Sequence, residues 1–367
     1  MAPLALAAPL AAITALVDKA ALPQPGQLAA VTSVARGAVA AIGTAPRPLA
    51  GRNVVITGGS SGIGAATAVK VAEAGGTVIL VARSLDKLDA VKADIEALNE
   101  ASAGRVFTYS CDVTDNDSVD ALVDLLVANH GHVDMLVNNA GRSIRRSIAL
   151  SYDRFHDFER TMSLNYFAAV RLVLRLMPHM AENGFGHIVN ISSIGVQTNP
   201  PRFSAYVASK AALDAFSRVV ASEVVGDGVS FTTVHMPLVR TPMIAPTSMY
   251  DAFPTLSPEE AADMVLRALV KRPKEIGTPI GTFGELAYTL APGLVDKILH
   301  QAYKVFPDSL AAKGESAAAE ANGAAAQRDP GLSRSGQMLA KASILVQDQP
   351  LSRAAKTMMR LLPGIHW

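Results

Sequence analysis

The chain has a single cysteine in 367 residues, Cys111, and a single tryptophan, Trp367. One cysteine excludes a disulfide framework and any metal site built from several thiolates. Neither sign of charge is in excess: 33 basic side chains stand against 32 acidic ones. A general nucleic-acid binder normally carries a basic excess, so nucleic acid is not an expected partner. Charge of either sign is scarce, at 18%, while half the residues are apolar and mean hydropathy is +0.26. That composition excludes a mostly disordered chain and leaves a globular protein with a large core. The eight histidines show no metal-ligand constellation, and no metal is expected. His130 and His132, two apart, read as surface residues at a helix-to-strand turn.

Charge is scarcest at the start. Residues 1–50 carry only Asp18, Lys19, Arg36 and Arg47, and 1–17 carry none. No basic segment precedes this apolar stretch, which argues against a secretory signal. Pro9 interrupts it, and 4–17 wound as a helix spans about 21 Å, short of a hydrocarbon core of about 30 Å. The segment reads as one or two short apolar helices that lie either on a membrane or on the protein itself.

From Asn53 onward, short apolar runs alternate with helix-length amphipathic stretches. The runs fall at 53–57, 77–81, 106–109, 133–137, 186–190 and 230–234. Continuous apolar runs separated by helices predict a parallel sheet covered on both faces. Helices are expected over 62–75, 84–99, 115–130, 153–182, 205–225 and 257–271. The expected architecture is a doubly wound α/β domain over 51–310, preceded by the apolar helical extension 1–50. Residues 311–350 start in an Ala/Gly-rich run and read as a flexible linker. Residues 351–367 form an amphipathic helix and tail. Leu351, Ala355, Met358 and Leu362 share one face, and Arg353, Lys356 and Arg360 another. Such a helix sits at a membrane surface, or packs on the core or a neighbouring subunit.

Between the first strand and first helix stands Thr57-Gly-Gly-Ser-Ser-Gly-Ile-Gly64. Gly58, Gly62 and Gly64 permit a tight turn. The helix N-terminus then offers free N–H groups and a partial positive charge to a pyrophosphate. The spacing Gly-x-x-x-Gly-x-Gly is not the commoner Gly-x-Gly-x-x-Gly, and a glycine loop alone is weak evidence. Its place after a strand and before a helix strengthens it. An NAD site expects Asp or Glu at the end of the second strand. This chain has Val81-Ala-Arg-Ser84 there. Arg83 can pair with a 2′-phosphate, so NADPH is the expected cofactor.

Tyr206-Val-Ala-Ser-Lys210 places a tyrosine and a lysine four apart on one helix face. The pair gains weight from its company. Ser193 closes the preceding strand, Asn138-Asn-Ala-Gly141 closes the fourth, and Asn165 lies in the helix between them. All are expected near the carboxyl ends of parallel strands, where ligands bind in this architecture. Hydride addition to a carbonyl makes an alkoxide that needs a proton. A tyrosine of pKa about 10 is a sluggish acid–base group at neutral pH unless positive charge draws it down, here that of Lys210 together with the nicotinamide of the oxidised complex. Ser193 can hydrogen-bond the carbonyl oxygen and hold it against Tyr206.

Together these motifs resemble the short-chain dehydrogenase/reductase superfamily over 51–250. The resemblance implies a Rossmann-type fold and a catalytic tetrad of Asn165, Ser193, Tyr206 and Lys210, the asparagine holding a water in a relay to the lysine. It implies cofactor contacts at Gly58, Ser60, Ser61, Gly62, Ile63, Gly64, Arg83, Asp112, Val113, Asn139, Ala140, Gly141, Tyr206, Lys210, Pro237, Val239 and Thr241. Asp112 takes the adenine-contacting position, which leaves Cys111 structural. Two positions depart from the family pattern. Leu238 replaces the usual glycine after Pro237, and Ser60 stands where many NADP users carry a basic residue, which leaves Arg83 with less help.

Asn139-Ala-Gly-Arg-Ser-Ile-Arg-Arg146, Asp153-Arg-Phe-His-Asp-Phe-Glu-Arg-Thr-Met162, Met236-Pro-Leu-Val-Arg-Thr-Pro-Met-Ile-Ala-Pro-Thr247, Pro254-Thr-Leu-Ser-Pro-Glu-Glu-Ala-Ala262 and Pro363-Gly-Ile-His-Trp367 resemble the bacterial fatty acyl-CoA reductases of this superfamily. That implies NADPH-dependent reduction of a long-chain acyl-CoA to aldehyde and CoA, with Tyr206 as general acid. A covalent acyl-cysteine route needs an activated cysteine, and Cys111 lies at the adenine side. Arg142, Arg145 and Arg146 either hold the phosphates of CoA or form a solvated basic loop, and Leu238 shapes the substrate side. The alternative is an oxidoreductase of a lipid or steroid ketone or alcohol on the same scaffold. A cofactor-binding scaffold without turnover has no need of Tyr206 and Lys210. The expected protein is a cytoplasmic homo-oligomer, paired through the helices of Asn165 and Tyr206, with peripheral contact at the inner membrane face.

Overall fold

The computed structural model describes residues 47–99, 102–244, 255–305, 308 and 312. These lie, Arg47 aside, in the second of two units, Pro48–Trp367. The expected extension up to residue 46, nearly all of the 311–350 linker and the 351–367 helix fall outside the described residues.

The strands are β1 (Asn53–Thr57), β2 (Thr77–Ala82), β3 (Val106–Ser110), β4 (Met135–Asn138), β5 (Gly186–Ser193), β6 (Val229–Met236) and β7 (Glu275–Ile276). They form one parallel sheet in the order β3-β2-β1-β4-β5-β6-β7. The chain runs outward from β1 in one direction through β3, then returns to β4 on the other side. The strand order therefore reverses between β1 and β4, where such sheets bind ligands at their carboxyl ends.

Helices α1 (Gly62–Glu73), α2 (Leu85–Leu98) and α8 (Pro258–Lys271) cover one face. Helices α3 (Asn116–His130), α5 (Ala168–Glu182) and α7 (Ser204–Glu223) cover the other. Successive strand residues alternate between the two layers. Val54 and Ile56 join the α1 side, and Val55 the α3 side. Both sets are apolar because both faces are covered, which is why β1, β2 and β4 have unbroken apolar centres.

The expected helix 153–182 is three segments: α4 (Phe155–Met162), a π-helical turn (Ser163–Phe167) and α5. The winding stays continuous, since Ser163 and Ala168 keep right-handed helical angles. Strand β4 starts at Met135 rather than 133. Asp134 is occupied in capping the sheet bottom, accepting from the Asn53 amide at 2.8 Å and from Arg52 at 2.7 Å. Strand β5 runs on to Ser193 and is buried throughout. Strand β7 and helices α9 (Pro279–Leu290) and α10 (Pro292–Val305) are not in the sequence reading. Helix α6 (Gly195–Thr198) is a single turn after β5, and α9 packs on it through Gly281 and Gly284. Helices α9 and α10 leave Ile280, Phe283, Leu286, Leu290, Leu294 and Ile298 exposed. Among the described residues no helix is long and apolar enough to cross a membrane.

Candidate active site

The loop after β1 is bound to its neighbours by main-chain and amide contacts. Gly58, at φ +66°, donates its N–H to the Val81 carbonyl at 2.8 Å. Side chains rarely adopt that angle, so glycine is required there. The hydroxyl of Thr57 accepts from the amides of Asn139 and Ala140, both at 3.0 Å, and donates to the Val137 carbonyl at 3.2 Å. The Asn139 side chain donates back to the Thr57 carbonyl at 2.9 Å. One threonine and one asparagine thus lock together the loops that follow β1 and β4. Gly64 closes the arrangement: a Cβ there would lie 2.3 Å from the Gly58 carbonyl oxygen and 2.7 Å from Asn139 Nδ2. The Ser61 side chain does not cap α1, so the first-turn N–H groups remain for another acceptor.

These elements open onto one cleft of about 1040 Å³. Of the residues expected to hold a cofactor, Gly58, Ser60, Ser61, Gly62, Ile63, Arg83, Asp112, Val113, Asn139, Ala140, Gly141, Tyr206, Lys210, Pro237, Val239 and Thr241 line it. Gly64 is buried behind its wall. The backbone turn, the uncapped helix end and the glycine cradle fit a dinucleotide. At the far end, Asp112 accepts from the Thr114 amide at 2.9 Å and hydroxyl at 2.7 Å, and these bonds hold its carboxyl below the usual range. Burial pushes the Cys111 thiol up, away from a reactive thiolate. Arg83 is exposed on the cleft rim, and Lys87, in the first turn of α2, lines the same space. Sequence reasoning passed over Lys87, although its place in the first turn of the helix after the second strand was the available signal.

At the other end, Ser193 ends β5 and its hydroxyl accepts from the Gly195 amide at 3.0 Å. Tyr206 and Lys210 follow on α7 and face the same cleft. Burial pushes the Tyr206 phenol up, the Ser193 hydroxyl works against this, and the Asp214 charge adds to it. Among the protein's own groups the balance on Tyr206 therefore runs upward. Burial brings Lys210 down to about 8, with Asp214 opposing. Its ammonium donates to the Ile191 carbonyl at 2.6 Å. Asn165, in the π turn, does not line the cleft. It accepts from the Arg142 amide at 2.8 Å and donates to the Arg142 carbonyl and to Ser209 Oγ, each at 2.9 Å. A Cβ on Gly141 would stand 3.2 Å from Asn165 Oδ1 and 3.5 Å from Lys210 Nζ, so the glycine leaves open the space between them.

The three arginines after β4 part company. Arg142 lines the cleft, where burial and the like charges of Arg160 and Arg83 lower its pKa. Arg145 and Arg146 do not line it. The expectation for Arg146 is corrected: its guanidinium lies 3.2 Å from buried Asp157 and bonds the Ala312 carbonyl. Burial pushes the Asp157 carboxyl up, but Arg154, Arg160 and Arg146 outweigh this and hold it below the usual range. A buried carboxylate needs such partners. Arg160, not picked out in the sequence, both pairs with Asp157 and lines the cleft. Leu238 lines it too, and its carbonyl accepts from the Leu256 amide at 2.9 Å.

The short chain dehydrogenase family matches residues 52–250. The chain is 54% identical over 265 residues to the fatty acyl-CoA reductase of Acinetobacter baylyi, covering 72% of this chain and 88% of that protein. It is 47% identical over 317 residues to an uncharacterized oxidoreductase of Mycobacterium tuberculosis, covering 86% and 85%. Among solved structures, a metagenomic short-chain oxidoreductase in complex with NADP matches with a TM-score of 0.53 at 30% identity, covering 63% of this chain and 98% of that one. The chain belongs to the short-chain dehydrogenase/reductase superfamily and is an oxidoreductase of that family.

Proposed function

We propose that this oxidoreductase reduces a long-chain fatty acyl-CoA to the aldehyde with NADPH. One observation carries the reading: Ser193, Tyr206 and Lys210 share a single cleft with four cations, Arg83, Lys87, Arg142 and Arg160. A phosphorylated cofactor and a CoA thioester are both polyanions, and such a wall suits them. The similarity to the Acinetobacter baylyi fatty acyl-CoA reductase supports the substrate class. Arg83 and Lys87, with no carboxylate at the end of β2, support NADPH.

When bound, the reduced nicotinamide supplies the hydride. The chain's own residues do the rest. The Ser193 hydroxyl holds the thioester carbonyl oxygen, and Tyr206 delivers a proton to that oxygen as negative charge develops. Lys210 keeps positive charge beside the phenol. Asn165 holds the Arg142 backbone, next to the Gly141 gap that faces the lysine. The resulting hemithioacetal breaks its C–S bond and releases aldehyde and CoA thiol. The sum is one acyl-CoA, one NADPH and one proton to one aldehyde, one NADP⁺ and one free thiol.

The test is NADPH loss followed together with thiol release over a series of acyl-CoA lengths. Equal amounts of thiol and NADP⁺ are expected, and Tyr206→Phe should lose more than about 100-fold in kcat while still binding NADPH. Oxidation of NADPH by a lipid ketone, with none by acyl-CoA, would overturn the substrate and support the ketone reductase.

A further inference from the structure

Asp214 stands eight residues after Tyr206 and four after Lys210, on the same face of α7. It is 1% exposed. One carboxylate oxygen lies 3.0 Å from Nε2 of His235, itself 4% exposed, and the other has no hydrogen-bond partner among the described residues. His235 sits on β6 in register with Ser192 of β5, one residue before the cleft-lining Met236 and Pro237.

A buried carboxylate with one hydrogen bond is a costly way to tie a helix to a strand. The same helix makes such a tie with neutral groups a turn further on. There Asn190 of β5 accepts from Asn138 at 2.8 Å and donates to Ser217 at 2.7 Å. The tie alone therefore does not call for a charge.

Resting on the reading of Tyr206 and Lys210 as the proton-transfer pair, we propose that Asp214, held by His235, is their built-in counter-charge and acts as a positioning residue for the reaction. Its field favours the ammonium over the amine on Lys210 and the phenol over the phenolate on Tyr206. Reduction needs both in that state. The other ionisable groups on elements packed against α7 are His156, Asp157, Glu159 and Arg160 on α4, Tyr166 in the π turn, His187 on β5 and Asp227 just beyond α7. Of these and Asp214, only Asp214 acts on both Tyr206 and Lys210.

The experiment is the pH dependence of kcat for NADPH-driven reduction in the full chain, with Asp214→Asn and Asp214→Glu. The alkaline limb reports the coupled tyrosine–lysine pair. In Asp214→Asn it should move to lower pH by roughly one unit, and Asp214→Glu should restore it. A merely structural carboxylate would lower kcat at every pH and leave the limb in place, which would overturn the proposal. The double variant D214N/H235Q keeps a neutral hydrogen-bonded tie and makes the same test if D214N does not fold. Loss of fold in both would make the pair structural and also overturn it. A second readout needs no substrate: ultraviolet titration of the Tyr206 phenol, taken as the difference from Tyr206→Phe, should move the same way. It separates failure of this proposal from failure of the acyl-CoA reading.

Discussion

The proposed NADPH preference rests, at the level of single side chains, on Arg83 and Lys87. Both are exposed, so each is worth less than a buried charge pair and is screened by salt. Arg83→Ala and Lys87→Ala should each raise KM for NADPH roughly 3- to 10-fold and leave KM for NADH nearly unchanged. Steady-state kinetics with the two cofactors checks this, and an equal change for both would refute the assignment. Several side chains were legible because a motif places them: Ser193, Tyr206 and Lys210 stand at element ends that parallel sheets turn toward one cleft. The arginines after β4 were legible only as a group. Which one faces the cleft depends on Asp157, which lies eleven residues beyond Arg146 in sequence and takes its guanidinium in space.

Among the elements, α1 is set by close packing of Gly64 against the loop after β1. Gly64→Ala would drive a Cβ into the Gly58 carbonyl, a backbone group that can yield only if the whole loop moves. The variant should lose roughly 1–3 kcal/mol of stability and most of its NADPH affinity, read from a thermal melt and a fluorescence titration of NADPH. Retained affinity would show that the loop has room. Strands β1, β2 and β4 could be read in advance because two covered faces give each an unbroken apolar centre, and β3, β5 and β6 because shorter β-rich apolar stretches recur at the same spacing. Strand β7, Glu275–Ile276, could not, since two residues carry no period. The break of the expected helix 153–182 was hidden as well. No proline or glycine marks the π turn, and its five residues read as ordinary helix.

At the scale of the whole molecule, one buried histidine of the sheet contributes to the response to acid. Burial and the charge of Arg272 push His187, in the middle layer, down to about 4 from an ordinary 6.5. The unfolded chain accepts this proton near 6.5 and the fold resists it until about 4. The stability it confers is complete above that window, falls as pH drops through it, and levels off below. The loss amounts to about 3 kcal/mol. Denaturant midpoints from pH 4 to 7 should slope less in His187→Gln than in the unchanged protein, and parallel slopes would refute it. Apolar runs alternating with amphipathic stretches gave the architecture its outline. They were silent on how Asp214, His235 and His187 are buried, because burial of a polar side chain is decided by partners far away in sequence.

The π turn at Ser163–Phe167 bears on how the chain can change length over generations. One residue of an α-helix accounts for about 100° of rotation. The extra residue in that turn lets α4 present Asp157 and Thr161 inward while α5 presents Ala168, Leu172 and Leu176 to the sheet. Losing one residue there would swing one of the two stripes into solvent and carry Asn165 away from Arg142 and Ser209. Lineages of this protein should therefore keep the count from 155 to 182 the same.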